Sequence, residues 1–140
     1  MSIQEHLNRS PFRELIGIEI TDVGEGYAEG RLSLEQKHSS RREELIAQGG
    51  VAFTLADSVG GAAAISLEGR PTPTIDFRID YLRPGTDDLY AVGEVTRSGS
   101  ETSVVDVLVT DVDDNDIATA RGVYKTSELS ADAPWEIESP

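Results

Sequence analysis

The sequence predicts a single α+β domain in which an antiparallel sheet of about six strands curls around one long helix. The 140 residues suffice for one hydrophobic core. Residues 49–67 show a helical pattern that is apolar on nearly every side, and strand-like segments precede and follow it. Because a helix without a polar face has to be enclosed, we expect the sheet to wrap around it.

The elements before the central helix follow from spacing and turn signals. Apolar residues near the N-terminus are spaced for one or two short helical turns, and a glycine-containing turn separates two strand-like segments. In order, we expect helical turns within 1–16, strands over 18–23 and 27–34 with a turn at 24–26, and a charged loop over 35–44.

The central helix over 49–67 contains no Lys, Arg or Glu and one acidic residue, Asp57. Its length and composition also suit a membrane-spanning segment. The mid-segment carboxylate, the four glycines and the lack of a basic flank favour a buried helix instead.

After the helix the period of the pattern changes to two, which predicts a half-buried strand ending near Arg83. Its apolar positions are Ile75, Phe77, Ile79 and Tyr81. Three more strands are expected, over 89–96, 104–112 and 117–125. The loops between the last four strands are too short for parallel crossovers, so we expect antiparallel pairing. The domain should span 1–128, with a loose tail over 129–140.

The charge balance excludes several classes of function. Twelve basic residues against 26 acidic ones give a net charge of −14, which does not suit a protein that binds nucleic acid or an anionic membrane. There is no Cys, and with only His6 and His38 no histidine-cluster metal site can form, so no metal is expected.

The composition also indicates a location. The N-terminus lacks the pattern of a secretory signal, so we expect a cytoplasmic protein. An acidic surface with only two Lys predicts a high-salt, halophilic cytoplasm, where mutual repulsion of carboxylates is screened. The alternative is an acidic protein from an ordinary cytoplasm.

Two features of the central helix are candidate functional elements. Asp57 is costly to bury ionised, and together with Thr54, Ser58 and Gly61 it forms a small polar stripe. Either this stripe lines a groove, or the carboxylate caps a loop or pairs with an Arg. The second feature is Gln48-Gly49-Gly50 at the helix start. Either its free N–H groups bind an oxyanion, or the segment is a plain glycine-rich turn.

These motifs resemble a known family. The stretch from Gln48 through Asp57 to Ala64, followed by Thr74 to Pro84 with its Leu-Arg-Pro end, resembles the hotdog-fold acyl-CoA thioesterases of the PaaI type, relatives of the hydroxybenzoyl-CoA thioesterases. The resemblance spans about Phe12 to Lys125 and includes the order of elements.

The resemblance implies roles for individual residues. Asp57 would act as nucleophile or as general base for water, and the backbone N–H of Gly49, with Gly50 nearby, would polarise the thioester carbonyl. Thr74 would help to place the water. The family shares its site between two subunits, which implies a homodimer at least, commonly a homotetramer, with an acyl-CoA substrate and no cofactor.

The chain departs from the family pattern at two points. Gln48 stands where the family usually has His, and a carboxamide can donate a hydrogen bond but cannot titrate. Arg41-Arg42 begins a segment where the family usually has Asn-x-x-Gly, which bears on the acyl pocket.

The remaining substrate-binding candidates are Gly50 and Ser58 on the helix and several arginines. Because guanidinium groups bind phosphate bidentately, CoA phosphates could be held by arginines near the helix start and the strand ends. The alternative for each arginine is a surface ion pair. These arginines are Arg41, Arg42, Arg83, Arg97 and Arg121.

The sequence therefore predicts a thioester hydrolase that converts an acyl-CoA or aryl-CoA to free acid and CoA. The alternative is a non-catalytic hotdog module that binds an acyl-CoA-like ligand. A hotdog dehydratase fits less well, because both His lie outside the helix.

Overall fold

The computed structural model describes residues 1–126 and shows a hotdog fold, as the sequence predicts. The tail expected over 129–140 and the last residues of the domain expected over 1–128 lie outside the described residues. The helices are α1 (Ile3–Leu7), α2 (Pro11–Ile16) and α3 (Gly49–Glu68), with a 3-10 turn at Gln36–His38. The strands are β1 (Ile18–Gly24), β2 (Tyr27–Leu32), β3 (Thr74–Tyr81), β4 (Leu89–Ser98), β5 (Thr102–Thr110) and β6 (Asp116–Lys125).

The six strands form one sheet in the order β1-β2-β4-β5-β6-β3, with every neighbouring pair antiparallel. The predicted antiparallel pairing is thus confirmed. The connection from β3 to β4, residues 82–88, passes over two strands, because β3 pairs with β6 rather than with β4. The β1–β2 turn has positive φ at both Glu25 and Gly26, which suits the twist of a hairpin.

Helix α3 lies against the inner face of the sheet and forms the centre of the core. Leu55, Ala56 and Val59 are fully buried, together with inward-facing residues of five strands. The helix is long and apolar enough to cross a membrane by length and composition, and most of that segment is buried inside the protein. It is therefore the core helix, as expected, and Gly69 ends it with φ 73°.

Strand β3 is more exposed than the half-buried strand expected from its alternation. Ile75 is 56% and Tyr81 is 52% exposed, and only Phe77 and Ile79 are partly buried. The expectation is wrong for Ile75 and Tyr81 because β3 is an edge strand. Within residues 1–126 it pairs only with β6, so no described strand covers its outer side.

The apolar face of β3 runs beside the first two turns of α3 in the opposite direction. Tyr81 contacts the helix start at Gly49, and the ring of Phe77 packs edge-on against Phe53 with centroids 4.9 Å apart. At the other end of the strand, Thr74 reaches Asp57. This pairing of β3 with α3 positions the residues of the candidate site.

Candidate active site

The carboxylate of Asp57 is held by two hydroxyl groups from two different strands. Thr74 Oγ1 donates a hydrogen bond to Oδ1 over 2.9 Å, and Tyr124 Oη donates to the same oxygen over 3.0 Å. Asp57 itself is partly exposed in the third turn of α3. None of the ion pairs within residues 1–126 includes Asp57, so the expected alternative of an Asp57–Arg pair is not observed there.

Within residues 1–126, Arg13 of α2 is a cation whose charge interacts with that of Asp57, and sequence reasoning did not single it out. Burial lowers the pKa of Arg13, and the negative charge of Asp57 partly opposes that shift. The Arg13 guanidinium donates to the backbone oxygen of Leu7 over 3.1 Å. The positive charge of Arg13 therefore acts on the carboxylate without an ion pair between them among the described residues.

Judged from the described residues, the start of α3 presents a free backbone N–H. The side-chain Oε1 of Gln48 accepts a hydrogen bond from Gly50 N over 2.5 Å, which caps the helix and occupies that N–H. The N–H of Gly49 makes no hydrogen bond among the described residues. Of the two expected oxyanion donors, the structure therefore leaves Gly49 available and engages Gly50.

Tyr81 defines the surroundings of Gly49. Its hydroxyl donates to Gly49 O over 2.6 Å, and a Cβ added at Gly49 would lie 3.2 Å from that hydroxyl oxygen. Burial raises the pKa of Tyr81, so the hydroxyl remains protonated near neutral pH. A side chain larger than hydrogen at position 49 would thus crowd the tyrosine.

A pocket of about 420 Å³ opens beside this helix start. Arg83 lines it together with Gly49 and Tyr81, and its remaining walls are mostly apolar. Within the described part of the chain, Arg83 forms no ion pair. Arg83, which is expected to bind CoA, and Gly49, the expected oxyanion donor, therefore line the same pocket.

The other predicted substrate-binding residues are more dispersed. Arg41 pairs with Glu44 over 3.3 Å in an exposed loop, and Arg121 pairs with Asp106 over 2.8 Å on the sheet. Both agree with the alternative that these arginines form surface ion pairs. Arg42 is exposed in the loop before α3, and Ser58 is 93% buried, with 7% of its surface accessible. The polar stripe expected on α3 is thus partly buried in the core.

The predicted site residues fall into two groups on α3. Gly49 and Asp57 are eight residues apart, which corresponds to about 12 Å along the helix axis at 1.5 Å per residue. Gln48, Gly50 and Arg83 belong with Gly49, whereas Thr74 belongs with Asp57. One chain does not bring the donor and the carboxylate to the same carbonyl group.

Sequence reasoning missed Tyr124 and Tyr81. Tyr124 lies 67 residues from Asp57 along the chain, so spacing could not connect them. The sequence did contain one signal of Tyr124, namely Gly60. Glycine is unfavourable inside a helix and commonly marks a position where another part of the chain packs closely against the helix backbone. Within residues 1–126, no three acidic or histidine side chains cluster in a way that could hold a metal ion.

Comparisons with known proteins agree with the fold and indicate the family of the chain. The protein-family model described as the thioesterase superfamily matches residues 46–118. A Halobacterium salinarum protein that bears the name "putative esterase" is 29% identical over 134 residues, covering 88% of this chain and 89% of the relative. Acyl-coenzyme A thioesterase PaaI of Escherichia coli is 29% identical over 109 residues, covering 76% of each protein. A solved structure from Shewanella oneidensis, related to the thioesterase superfamily, superposes with a TM-score of 0.83 at 27% identity, covering 89% of this chain and 93% of that one.

Proposed function

The chain belongs to the thioesterase superfamily and is a thioester hydrolase, and we propose that it hydrolyses an acyl-CoA or aryl-CoA thioester with Asp57 as the reacting carboxylate. The observation that carries the proposal is the carboxylate held by two hydroxyl groups on an otherwise apolar helix. The E. coli relative bears the name of an acyl-CoA thioesterase, which supports CoA as the leaving group.

The reaction can follow two routes from this carboxylate. As a general base, Asp57 takes a proton from water while the water oxygen bonds to the thioester carbon. The C–S bond then breaks, and the proton passes to the departing CoA sulfur. As a nucleophile, Asp57 bonds to the carbonyl carbon, CoA leaves, and water hydrolyses the resulting anhydride. Thr74 orients the carboxylate in both routes and helps to place the water in the first.

Gly49 supplies the oxyanion donor in this proposal. Its unpaired N–H lies at the positive end of a 20-residue helix, where negative charge is stabilised. Gly50 assists indirectly, because its N–H holds the side chain of Gln48 in place. With Oε1 engaged, the Nε2 amino group of Gln48 is the part that can donate to the substrate.

The site requires a second copy of the chain. The separation of about 12 Å along α3 exceeds what one thioester carbonyl and its attacking water can bridge. The exposed edge of β3, with Ile75 and Tyr81 on its apolar face, offers a surface for an antiparallel partner strand. Joining two β3 edges brings Gly49 of one copy towards Asp57 of the other.

The arginines would hold the CoA phosphates. Arg83 is the strongest candidate, because it lines the pocket at Gly49 and forms no ion pair within residues 1–126, although its charge acts on Asp111 at longer range. Arg42 and Arg41 lie in the exposed loop before the helix, where Arg41 would have to leave Glu44. Ser58 could touch substrate only through the partly exposed side of α3 that Asp57 occupies.

The proposal is tested by replacing Asp57 with Asn, which keeps the size of the side chain and an oxygen that can accept both hydroxyl donors. We expect kcat for short, long and aromatic acyl-CoAs to fall at least ~10³-fold, because the base or nucleophile is lost. Assays are run in molar KCl and follow free thiol. Asp113→Asn, in the β5–β6 loop, is the matched control and should keep full activity. Undiminished turnover by Asp57→Asn, or CoA-ester binding without any hydrolysis by the unmutated protein, would contradict the proposal.

The oxyanion role is tested by a pair of substitutions at Gly49. Proline is well tolerated at the first helical position, and Gln48 has the extended backbone (φ −64°, ψ 140°) that a following proline favours. Gly49→Pro removes the N–H, whereas Gly49→Ala adds a Cβ but keeps it. We expect kcat of Gly49→Pro to lie ~10²-fold below that of Gly49→Ala. Equal rates for the two variants would exclude this N–H as the donor.

A further inference from the structure

Both hydroxyl donors of Asp57 bind the same carboxylate oxygen. Thr74 Oγ1 and Tyr124 Oη lie 2.9 Å and 3.0 Å from Oδ1, while Oδ2 makes no hydrogen bond among the described residues. The Tyr124 hydroxyl also lies 3.2 Å from the backbone oxygen of Asp57, so its single proton can be shared between two acceptors on one residue. The two oxygens of the carboxylate are therefore not equivalent.

The fold makes a dedicated space for the Tyr124 ring. Tyr124 lies on β6, is 1% exposed and projects inward against α3. A Cβ at Gly60 of α3 would clash with the hydroxyl oxygen, and a Cβ at Gly122 would lie 2.5 Å from a ring carbon. The absence of side chains at these two positions lets the phenol reach the carboxylate.

Tyr124 can act only as a donor towards Asp57. Burial first, and then the negative charge and hydrogen bond of Asp57, raise the pKa of Tyr124 far above its ordinary value. The hydroxyl therefore keeps its proton throughout the range in which a protein works. A carboxylate oxygen accepts and does not donate, so the direction of this hydrogen bond is fixed.

We propose that Tyr124 is a positioning residue for the hydrolysis, which together with Thr74 anchors Oδ1 of Asp57 so that Oδ2 is the oxygen presented to water or to the thioester carbon. The inference rests on the proposed function, in which Asp57 is the reacting carboxylate. An Asp side chain tethered from one side by two strands loses its freedom to rotate, and fixed orientation of a reacting group is a large part of catalysis. Tyr124 itself does not touch the substrate.

The test compares Tyr124→Phe with Ser103→Ala. The first change removes only the hydroxyl and keeps the ring in its slot. Ser103 faces Tyr124 across the β5–β6 register, is fully buried, and its hydroxyl has no hydrogen-bond partner, so Ser103→Ala removes a neighbouring buried hydroxyl that does not touch Asp57. We expect kcat of Tyr124→Phe to fall about 10- to 100-fold with KM unchanged within about twofold. Ser103→Ala should keep both constants.

A purely structural tyrosine would give a different result. Loss of core packing alone would lower the apparent kcat only in proportion to the fraction of folded protein and would also leave KM unchanged. We therefore calculate kcat per folded molecule, with the folded fraction taken from urea unfolding, and a purely structural tyrosine would then give the wild-type kcat. Wild-type kcat in Tyr124→Phe, measured on folded protein, or equal effects of the two substitutions, would overturn the proposal.

A second measurement does not depend on turnover. The ¹³Cγ resonance of Asp57, assigned by its loss in Asp57→Asn, should move in Tyr124→Phe and stay in place in Ser103→Ala. An unmoved resonance overturns the positioning role even if hydrolysis is confirmed. If the unmutated protein hydrolyses no acyl-CoA, the proposed function fails, and a moved resonance still shows that Tyr124 holds the carboxylate. If Tyr124→Phe does not fold, 3-fluorotyrosine introduced at position 124 alters the strength of the donor without removing it, and the same resonance must move.

Discussion

A carboxylate inside an apolar helix needs hydrogen-bond donors, and Asp57 obtains them from hydroxyl groups rather than from a paired cation. Neutral donors hold the side chain without cancelling its charge, which leaves that charge available for catalysis. A direct ion pair with an arginine would have neutralised it. At the scale of single residues, the choice of Thr74 and Tyr124 as partners suits the proposed role of Asp57 as a base or nucleophile.

The raised pKa of Tyr124 predicts a specific loss of stability in alkali. Below a pH of about 10, tyrosine is protonated in both the folded and unfolded states and contributes no pH dependence. Above it, the unfolded chain releases the proton while the fold retains it, so the free energy of unfolding should fall by about 1.4 kcal/mol per pH unit for this group.

The measurement is urea unfolding of the wild type and of Tyr124→Phe at pH values of about 9, 10 and 11. The variant should be less stable near pH 9 but should lose less stability between 10 and 11. Subtracting the two curves removes the contribution of Tyr27, whose pKa is raised to about 12 chiefly by its hydrogen bond to Glu29. Parallel curves would contradict the assigned burial of the Tyr124 proton.

At the scale of elements, α3 owes its position to small residues. Seven of its ten buried residues are Ala or Gly, which allows the surrounding strands to approach closely; they lie at 52, at 56 and in the run from 60 to 64. Among them Gly60 and Gly61 weaken the helix intrinsically, since glycine costs about 1 kcal/mol relative to alanine in a helix. Enclosure by the sheet, rather than helix propensity, therefore stabilises this element.

Two adjacent glycines of α3 should respond in opposite ways to alanine. A Cβ at Gly60 would clash with the Tyr124 hydroxyl, whereas a Cβ at Gly61 would make an ordinary contact at 3.5 Å. We expect Gly60→Ala to lower the free energy of unfolding by about 1–3 kcal/mol through overpacking. Gly61→Ala should be neutral or stabilising by up to about 1 kcal/mol, because it gains helix propensity.

Urea unfolding at constant salt gives both values, and Gly61→Ala serves as the control for the loss of a helical glycine. Gly60→Ala should also reduce kcat, because displacement of Tyr124 disturbs Asp57. Similar stabilities for the two variants would mean that the Gly60–Tyr124 contact does not determine the packing here.

At the scale of the whole molecule, the proposed sharing of the site predicts complementation between two inactive variants. In a mixed dimer of Asp57→Asn and Gly49→Pro, one site has both mutations and the other has neither. With random pairing, half of the dimers are mixed and each mixed dimer has one intact site of two, so about a quarter of wild-type activity should return. The variants are unfolded together and refolded, and the same variants refolded separately and then combined are the control. No recovery, with dimers confirmed by light scattering, would place Gly49 and Asp57 of each site in one subunit.

The net charge of −14 predicts a fold that is stabilised by salt. Raising KCl from about 0.1 M to 1 M shortens the Debye length from about 10 Å to 3 Å and screens the mutual repulsion of the carboxylates. The thermal midpoint should therefore rise, and by less in a variant with Glu43→Gln, Asp113→Asn and Asp114→Asn, whose net charge is −11 rather than −14. An equal rise of the thermal midpoint in the two proteins would mean that the effect of salt is general salting-out. The cytoplasmic location and halophilic origin stay predictions.

Patterns that are local in the chain predicted most of the fold. The apolar surface of α3, the switch to a two-residue period after it and the short loops that follow predicted a helix enclosed by an antiparallel sheet. The exposure of β3 could not be predicted, because the alternation of Ile75 to Tyr81 is the same whether the strand is covered by its own chain or lies at an edge. That difference depends on which strand pairs with which.

The sequence by itself determined the class of fold and the buried helix, and it singled out Asp57 as the candidate carboxylate, because a lone carboxylate in an apolar helix and a glycine pair at its start are visible without coordinates. Only the tertiary structure decided how that carboxylate is held, which N–H at the helix start is free, and that the two groups lie too far apart in one chain. The reason is physical: each of these depends on contacts made across the sheet or on distances along a rigid helix. Thr74 and Tyr124 meet at Asp57 because β3 and β6 are neighbours in space, not in sequence.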